Sequence, residues 1–116
     1  MTAPVRRPLQ GEVWMANFSP IVGSEQEGIR PALVVSRNEL NRTGLCMVVP
    51  GTRTHRNLPG RVKLPRGTAG VTDDTYLLSD QLRTVSAARF LRLLGVVETK
   101  YLRQTLTQVG YFLTIP

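Results

Sequence analysis

An arginine and a threonine stand at the ends of two apolar segments whose composition is typical of neighbouring strands. Arg30 precedes Pro31, and a residue before proline is pushed out of the helical region into an extended conformation. Thr52 closes the second segment, which starts near Cys46. An antiparallel pair of these segments centred on Asn41 would place Thr52 directly opposite Arg30. The sequence therefore predicts a guanidinium and a hydroxyl side by side at one end of a sheet.

These two groups suit phosphate chemistry. A guanidinium binds phosphate oxygens through two hydrogen bonds, and a hydroxyl can donate to a non-bridging oxygen as negative charge builds in the transition state. RNA carries its own nucleophile, the 2′-hydroxyl. A ribonuclease that acts through a guanidinium and a hydroxyl therefore needs no metal. The chain has one histidine, one cysteine and a single adjacent acid pair, Asp73 and Asp74, and we expect neither a metal nor another cofactor.

Three side chains are candidates for moving the 2′-hydroxyl proton. His55 is the only histidine, and histidine is the residue type that titrates near neutral pH when unperturbed, but it lies in a basic segment. Arginine is a poor general base, so this role for Arg30 needs an unusual environment. Glu25 lies between Gly23 and Gly28, which allow a loop to fold back over the sheet. It could act as the base or tether the loop by an ion pair to Arg30.

The charge of the chain favours a polyanionic partner. Its 116 residues include 15 Lys and Arg against 8 Asp and Glu, which gives a formal net charge of +7. Residues 53–66 hold five basic side chains and no acid, and Arg83, Arg89 and Arg92 form a second acid-free group. Two such groups favour nucleic acid over a merely solvated basic surface. The candidates for base stacking are Trp14, Phe18 and Tyr76.

Strands come first along the chain and a helix comes last. Short β-branched segments bounded by turn residues predict five or six strands, with candidates at 11–19, 31–36, 45–50, 60–65, 75–81 and 92–97. Apolar residues at helical spacing predict a helix of about four turns from near Glu98, with its stripe at Leu102, Leu106, Val109 and Leu113. A helical turn is also predicted at 86–90. Residues 1–116 are expected to form one mainly β domain (α+β by strict count), a small curved antiparallel sheet or barrel covered by this helix.

Several classes of protein are disfavoured. The single Cys46 excludes an intrachain disulfide and is predicted to be a buried thiol. The N-terminal residues lack the apolar core of a signal peptide, and no run of about 18 apolar residues occurs. We therefore expect a cytoplasmic protein that does not enter a membrane.

Four motifs in order resemble one known family. "GSEQEGIRPALVVS" at 23–36, "TGL" at 43–45, "PGT" at 50–52 and "LSDQLRTV" at 78–85 look like the MazF/PemK/Kid toxins of bacterial type II toxin–antitoxin systems. The resemblance covers residues 10 to about 114. It implies a small SH3-like barrel with an added helix, a fold shared with the CcdB gyrase poisons. It also implies a sequence-specific, metal-independent endoribonuclease (mRNA interferase) that cuts single-stranded RNA and leaves 2′,3′-cyclic phosphate and 5′-hydroxyl ends.

The resemblance also assigns roles to residues. Arg30 matches the family's acid–base group and phosphate clamp, and Thr52 matches its transition-state stabiliser. Glu25 and Asp80 match carboxylates that are implicated in some members. The alternative for Asp80 is a buried carboxylate that caps backbone amides. Leu78 stands where some members carry an arginine, so their catalytic grouping is not reproduced here, and "SAARF" at 86–90 replaces a "DWRAR"-like stretch.

The implied partners are single-stranded RNA in a groove across a homodimer and a cognate antitoxin whose acidic C-terminal tail occupies that groove. The residues predicted to bind RNA are Gln26, Arg53, His55, Arg56, Gln81 and Arg83. Two other functions stay open. One is a CcdB-like topoisomerase poison, against which the tryptophan-free end "YFLTIP" counts, and the other is a non-catalytic nucleic-acid-binding barrel.

Overall fold

One antiparallel sheet of seven strands carries two α-helices in the part of the chain that the computed structural model describes, residues 7–19 and 28–116. Short 3₁₀ turns at Thr68–Gly70, Ser79–Gln81 and Ala87–Arg89 join some of these elements. The strands are β1 (Glu12–Asn17), β2 (Ile29–Val34), β3 (Leu45–Thr52), β4 (Arg61–Leu64), β5 (Thr75–Leu78), β6 (Arg83–Ser86) and β7 (Phe90–Val96). The helices are α1 (Asn38–Asn41) and α2 (Thr99–Leu113).

The long strand β3 organises the sheet, whose strand order is β4-β5-β3-β2-β1-β7. Along one edge β3 pairs with β2, and along the other it pairs first with β6 and then, at Gly51 and Thr52, with β5. Within the described residues β4 and β7 end the order without pairing to each other, so the sheet is curved but open. The predicted curved antiparallel sheet with a C-terminal helix is confirmed.

Both faces of the central strands are buried, which explains their unbroken apolar runs. Successive side chains of a strand point to opposite faces, so Leu33 and Val49 enter one core cluster while Val34 and Val48 enter the other. Trp14, which stacks on Phe90, and the fully buried Phe18 belong to this second cluster.

Helix α2 packs on the sheet through a narrower face than the one predicted. Val109 is buried in the first core cluster, and Tyr101 and Leu102 pack against that cluster. Thr105 is fully buried because its hydroxyl donates to the carbonyl of Tyr101 within the helix, at 2.8 Å. Leu106 and Leu113 are exposed, so their predicted place on the packed stripe is wrong. Neither described helix has the length and apolar character that a membrane crossing requires.

Each of the six candidate strand segments contains a strand, although the segment 75–81 is strand only to Leu78 and ends in the 3₁₀ turn Ser79–Gln81. The predicted turn at 86–90 appears as the 3₁₀ turn Ala87–Arg89. One strand and one α-helix were not predicted. Strand β6 is four residues long and buries only Val85, so its pattern is too short to read. Helix α1 lies inside the segment that was expected to be a loop between β2 and β3.

Candidate active site

The register of β2 and β3 brings Arg30 and Thr52 to the same sheet end. The pairs Ala32 with Pro50, Leu33 with Val49 and Val34 with Val48 all have Asn41 at their centre, which confirms the predicted register. Arg30 and Thr52 continue this register beyond the last pair. Both side chains line the same two cavities, so they lie on one face of the sheet.

The first cavity, of about 260 Å³, lies between this sheet end, strands β1 and β7, and the loop 65–74. Arg53, Asp73 and Arg92 line it together with Arg30 and Thr52. Its floor needs the glycine of the "PGT" motif. A Cβ at position 51 would lie 2.6 Å from Cγ2 of Thr75, so a side chain there would displace the start of β5.

The second cavity, of about 420 Å³, shares Arg30 and Thr52 with the first and otherwise lies against β4, β5 and the loop 53–60. Three guanidinium groups line it, those of Arg30, Arg56 and Arg61, together with Gln81 and Thr54. None of the described residues that line it is acidic. Its walls therefore form a concave surface whose formal charge is entirely positive, which suits a phosphate backbone.

The hydroxyl of Thr52 is oriented by its own loop. The residue is 8% exposed, and its Oγ1 accepts a hydrogen bond from the backbone N–H of Thr54 at 3.2 Å. Because the oxygen already accepts this bond, the hydroxyl proton can point away from it and donate to a ligand. Arg30, which is half-buried, lines both cavities together with Thr52.

The residues predicted to bind RNA do not all line the two cavities. Arg53, Arg56 and Gln81 line one or other cavity. His55 is exposed and stacks on the ring of Tyr76, with centroids 4.6 Å apart and planes inclined by 13°. Arg83 lies over the ring of Phe18, at 5.2 Å from its centroid, and lines neither cavity. Glu25 and Gln26 lie outside the described residues.

Of the three aromatic residues predicted to stack on RNA bases, Tyr76 is the one that lies near Thr52. It is half-buried and lies directly opposite Thr52 in the pairing of β3 with β5. Trp14 and Phe18 are core residues and are too buried to stack on a base. Sequence reasoning could not separate these three rings, because only the fold places one of them beside the cavities.

The adjacent acids Asp73 and Asp74 both interact with basic residues of the same chain. Asp73 forms an ion pair with Arg53 at 3.3 Å. Asp74 accepts a hydrogen bond from the backbone N–H of Arg66 at 2.9 Å, and this bond, with the nearby Lys63 ammonium, lowers the pKa of its carboxyl group. No cluster of three or more Asp, Glu, His or Cys side chains occurs within residues 7–19 and 28–116.

Residues 9–113 match the family of PemK-like, MazF-like toxins of type II toxin–antitoxin systems. The chain belongs to this family. It is 34% identical over 102 residues to endoribonuclease MazF9 of Mycobacterium tuberculosis, covering 82% of this chain and 86% of that protein. It is also 34% identical over 83 residues to endoribonuclease EndoA of Bacillus subtilis, covering 69% and 72% of the two chains.

Solved structures of the toxin family agree with the fold. MazF of Deinococcus radiodurans superposes with a TM-score of 0.84 at 30% identity, over 96% of this chain and 100% of that one. A MazE–MazF structure from the same organism gives a TM-score of 0.76 at 26% identity, over 97% and 100%. The family resemblance that the motifs predicted is thus confirmed.

Asp80, the aspartate of the family's "DQ" motif, is not the buried carboxylate capping backbone amides that the sequence left open as an alternative. Asp80 is exposed rather than buried, and its carboxylate accepts a hydrogen bond from the guanidinium of Arg61 instead of capping backbone amides. Sequence analysis counted Arg61 only as one charge of the basic segment 53–66. Its role as a partner depends on the pairing of β4 with β5, in which Arg61 faces Leu78.

Proposed function

We propose that this toxin-family chain is a sequence-specific, metal-independent endoribonuclease that cleaves single-stranded RNA, as an mRNA interferase does. The observation that carries the proposal is that Arg30 and Thr52 lie at one sheet end and together line two cavities that further arginines also line. The curated relatives named above support it, since both are endoribonucleases.

The proposed reaction is attack of a 2′-hydroxyl on the adjacent phosphate. The 2′-oxygen forms a bond to phosphorus, the bond from phosphorus to the 5′-oxygen breaks, and the products are a 2′,3′-cyclic phosphate and a 5′-hydroxyl. The 2′-hydroxyl proton passes to a base, and the leaving 5′-oxygen receives a proton.

Arg30 and Thr52 act on the charge of the transition state. The guanidinium of Arg30 clamps two oxygens of the reacting phosphate and neutralises their growing charge. The hydroxyl of Thr52, held by the N–H of Thr54, donates to a non-bridging oxygen. The candidates for the proton acceptor are Glu25, His55 and Arg30 itself, and Asp80, also predicted to be catalytic, contributes to the site through its ion pair with Arg61.

The RNA strand crosses the Arg30 and Thr52 pair from one cavity to the other. On this path phosphates meet Arg53 in the first cavity and Arg56 in the second, and Gln81 offers an amide to a base. The exposed ring of His55, already stacked on Tyr76, offers its outer face to another base. Gln26 and Arg83 complete the predicted RNA contacts. Sequence specificity then resides in the loops 53–60 and 65–74.

The proposed partners follow from the same surface. A cognate antitoxin would place its acidic C-terminal tail in the basic cavities and thereby exclude RNA, and the net charge of +7 favours both ligands. The known MazE–MazF complex of Deinococcus radiodurans supports an antitoxin partner. We further propose that residues 1–116 form a single toxin domain that works as a homodimer in the cytoplasm, where mRNA is found, with no cofactor and no membrane contact.

RNA cleavage in the presence of EDTA tests this function. Purified protein is incubated with mixed-sequence single-stranded RNA, and the ends are mapped for 2′,3′-cyclic phosphate and 5′-hydroxyl groups. We expect cleavage by the wild type, and none by Arg30→Ala or Thr52→Ala proteins whose thermal unfolding shows that they are folded. The matched control is Arg37→Ala, which removes an exposed arginine that lines neither cavity. Failure of the wild type to cut any RNA would refute the proposal.

A further inference from the structure

The ion pair between Arg61 and Asp80 is more enclosed than four other ion pairs among the described residues. The side chain of Arg61 is only 13% exposed. The basic side chain is more than half exposed in each of four other pairs, which are Arg37–Glu39, Arg53–Asp73, Lys63–Asp74 and Lys100–Glu98. An exposed ion pair contributes little to stability. Arg61 is shielded from solvent and lines a cavity, so its ion pair with Asp80 suggests a role beyond stability.

The two charged groups have different positions relative to the second cavity. Arg61 begins β4 and lines the cavity, as do Leu78, which it faces across the sheet, and Gln81. Asp80 lies between these last two residues in sequence, in the 3₁₀ turn Ser79–Gln81, yet it lines neither cavity around Arg30. Arg61 thus lines the second cavity, while its carboxylate partner does not, and Arg61 also lines a third cavity between β4 and α2.

We propose that Arg61 binds a phosphate of the RNA strand in the second cavity and that Asp80 is the positioning residue that holds its guanidinium there. The inference rests on the proposed function, and it changes the role predicted for Asp80 from direct participation in catalysis to action through Arg61. A guanidinium has five N–H donors in a fixed fork, so the bond to Asp80 leaves donors for a phosphate.

An ion pair with Asp80 that orders the side chain of Arg61 before RNA arrives should favour RNA binding. Ordering a long arginine side chain opposes association because its rotamers are lost. The bond to Asp80 restricts those rotamers when the protein folds, before RNA arrives. An acidic group near an RNA site otherwise repels the strand, so a positioning role and a merely electrostatic role predict opposite effects of neutralising Asp80.

The test measures binding to a mixed-sequence single-stranded RNA pool with 2′-fluoro sugars, which lacks the nucleophile and reports binding without cleavage. The dissociation constant is determined for the wild type, Arg61→Gln, Asp80→Asn and the double variant over a range of salt concentrations. We expect Arg61→Gln to weaken binding about tenfold or more and to reduce the slope of log K against log salt by about 0.7, the value for one phosphate contact on a single strand.

Asp80→Asn separates the two roles by the sign of its effect. We expect it to weaken binding by roughly threefold to tenfold, although it raises the net charge by one, because Arg61 is then less well held. In the Arg61→Gln background the same change should weaken binding no further. Tighter binding by Asp80→Asn would show simple repulsion and would overturn the positioning role.

The exposed pair Arg37–Glu39 supplies a matched control, since neither residue lines either cavity. Arg37→Gln and Glu39→Gln change the net charge by the same amounts and should leave the salt slope unchanged. A loss of affinity in Arg37→Gln equal to that in Arg61→Gln would reduce the effect to net charge and overturn the proposal. Should Arg61→Gln fail to fold in a thermal unfolding scan, Arg61→Lys, which keeps the charge but loses the fork, and Asp80→Asn decide the question.

The outcomes for the inference and for the proposed function are distinct. A wild type that neither cleaves RNA nor binds the 2′-fluoro pool overturns both. A wild type that cleaves RNA while Arg61→Gln binds the pool as Arg37→Gln does overturns the inference alone. Wild-type binding without cleavage, with Arg61 and Asp80 behaving as expected, supports the phosphate contact and refutes the nuclease.

Discussion

The two ends of the β2 and β3 pair share the same strands but have opposite characters. At the end that carries α1, Ser36 and Asn41 are buried polar residues that satisfy each other. At the other end, Arg30 and Thr52 open onto two cavities. We call the first the closed end and the second the open end.

Hydrogen bonds lock the closed end. The hydroxyl of Ser36 donates to the side-chain oxygen of Asn41, whose amide donates to the carbonyl of Ser36 at 3.1 Å. The backbone N–H of Met47 donates to the Ser36 hydroxyl at 2.9 Å. Because these bonds join β3 to the residues that follow β2, they fix the register of the two strands where the chain reverses.

The comparison shows how the proposed catalytic pair, Arg30 and Thr52, can be aligned by contacts at the other end of the same strands. A slip of one residue would turn every side chain to the opposite face, and would separate Arg30 from Thr52. The closed end prevents that slip with buried, satisfied polar groups, so the open end can present its polar groups to a ligand. Variants at the two ends should therefore affect different quantities.

The largest effect is expected from Arg30→Lys at the open end. The charge is kept but the planar fork is lost, so the RNA cleavage rate should fall by about a thousandfold or more, as for arginines that stabilise transferring phosphates. The free energy of unfolding should change by less than about 1 kcal/mol, because Arg30 is half-buried at a strand end. Single-turnover cleavage and urea unfolding provide the two measurements. A lysine variant that retains most of the wild-type rate would break the comparison.

Thr52→Val should have the next largest effect. Valine keeps the shape of threonine but loses the hydroxyl, and removing one donor to a transition-state oxygen costs about a hundredfold in rate. Thr52→Ser, which keeps the hydroxyl, is the control and should retain most of the activity. The cleavage rates of the two folded variants on one RNA substrate decide the matter, and equal rates for valine and serine would exclude the donor role.

At the closed end, Asn41→Ala should lower the free energy of unfolding by about 2–3 kcal/mol, because Ser36 loses its buried partners. The cleavage rate of the folded fraction should stay close to that of the wild type.

Cys46 reports the opening of this end, since it is fully buried beside Met47 and burial raises the pKa of its thiol. Labelling of Cys46 by a thiol reagent should be slow in the wild type and faster in Asn41→Ala.

The matched control for this variant is Asn57→Ala, which removes an exposed asparagine and should leave the free energy of unfolding within about 0.5 kcal/mol of the wild type. If the Asn41→Ala protein is as stable as this control, the proposed role of the closed end in fixing the register is wrong.

The smallest effect concerns Asp74 in the loop 65–74 at the open end. The N–H of Arg66, aided by Lys63, holds the pKa of this carboxyl below its ordinary value of 3.8. The unfolded chain therefore binds its proton first as the pH falls, so the stabilisation is present above about pH 4 and is lost as the pH falls through the lower folded pKa. The gap in Tm between wild type and Asp74→Asn should narrow between about pH 6 and pH 2.5. A gap of constant width would contradict this assignment.

The strand pairing at the site could be predicted because its pattern is strong. The segments around Leu33 and Val49 are apolar on both faces, which indicates two buried strands, and the register centred on Asn41 was a hypothesis that the structure confirms. The pairing of Arg61 with Asp80 could not be predicted, because it depends on how β4 meets β5 across the loop 65–74. The packed face of α2 was misread because Thr105 can be buried once its hydroxyl bonds within the helix, which places Leu106 towards solvent.

The changing partners of β3 have a consequence for how such a chain can diversify. One strand pairs with β2, β5 and β6, and its Gly51 leaves no space for a side chain beside Thr75. Substitutions within β3 therefore disturb several strands at once, whereas the loops 53–60 and 65–74 can vary with little effect on those pairings. Exchange of these loops between family members is thus the expected route to new RNA preferences on an unchanged reactive pair.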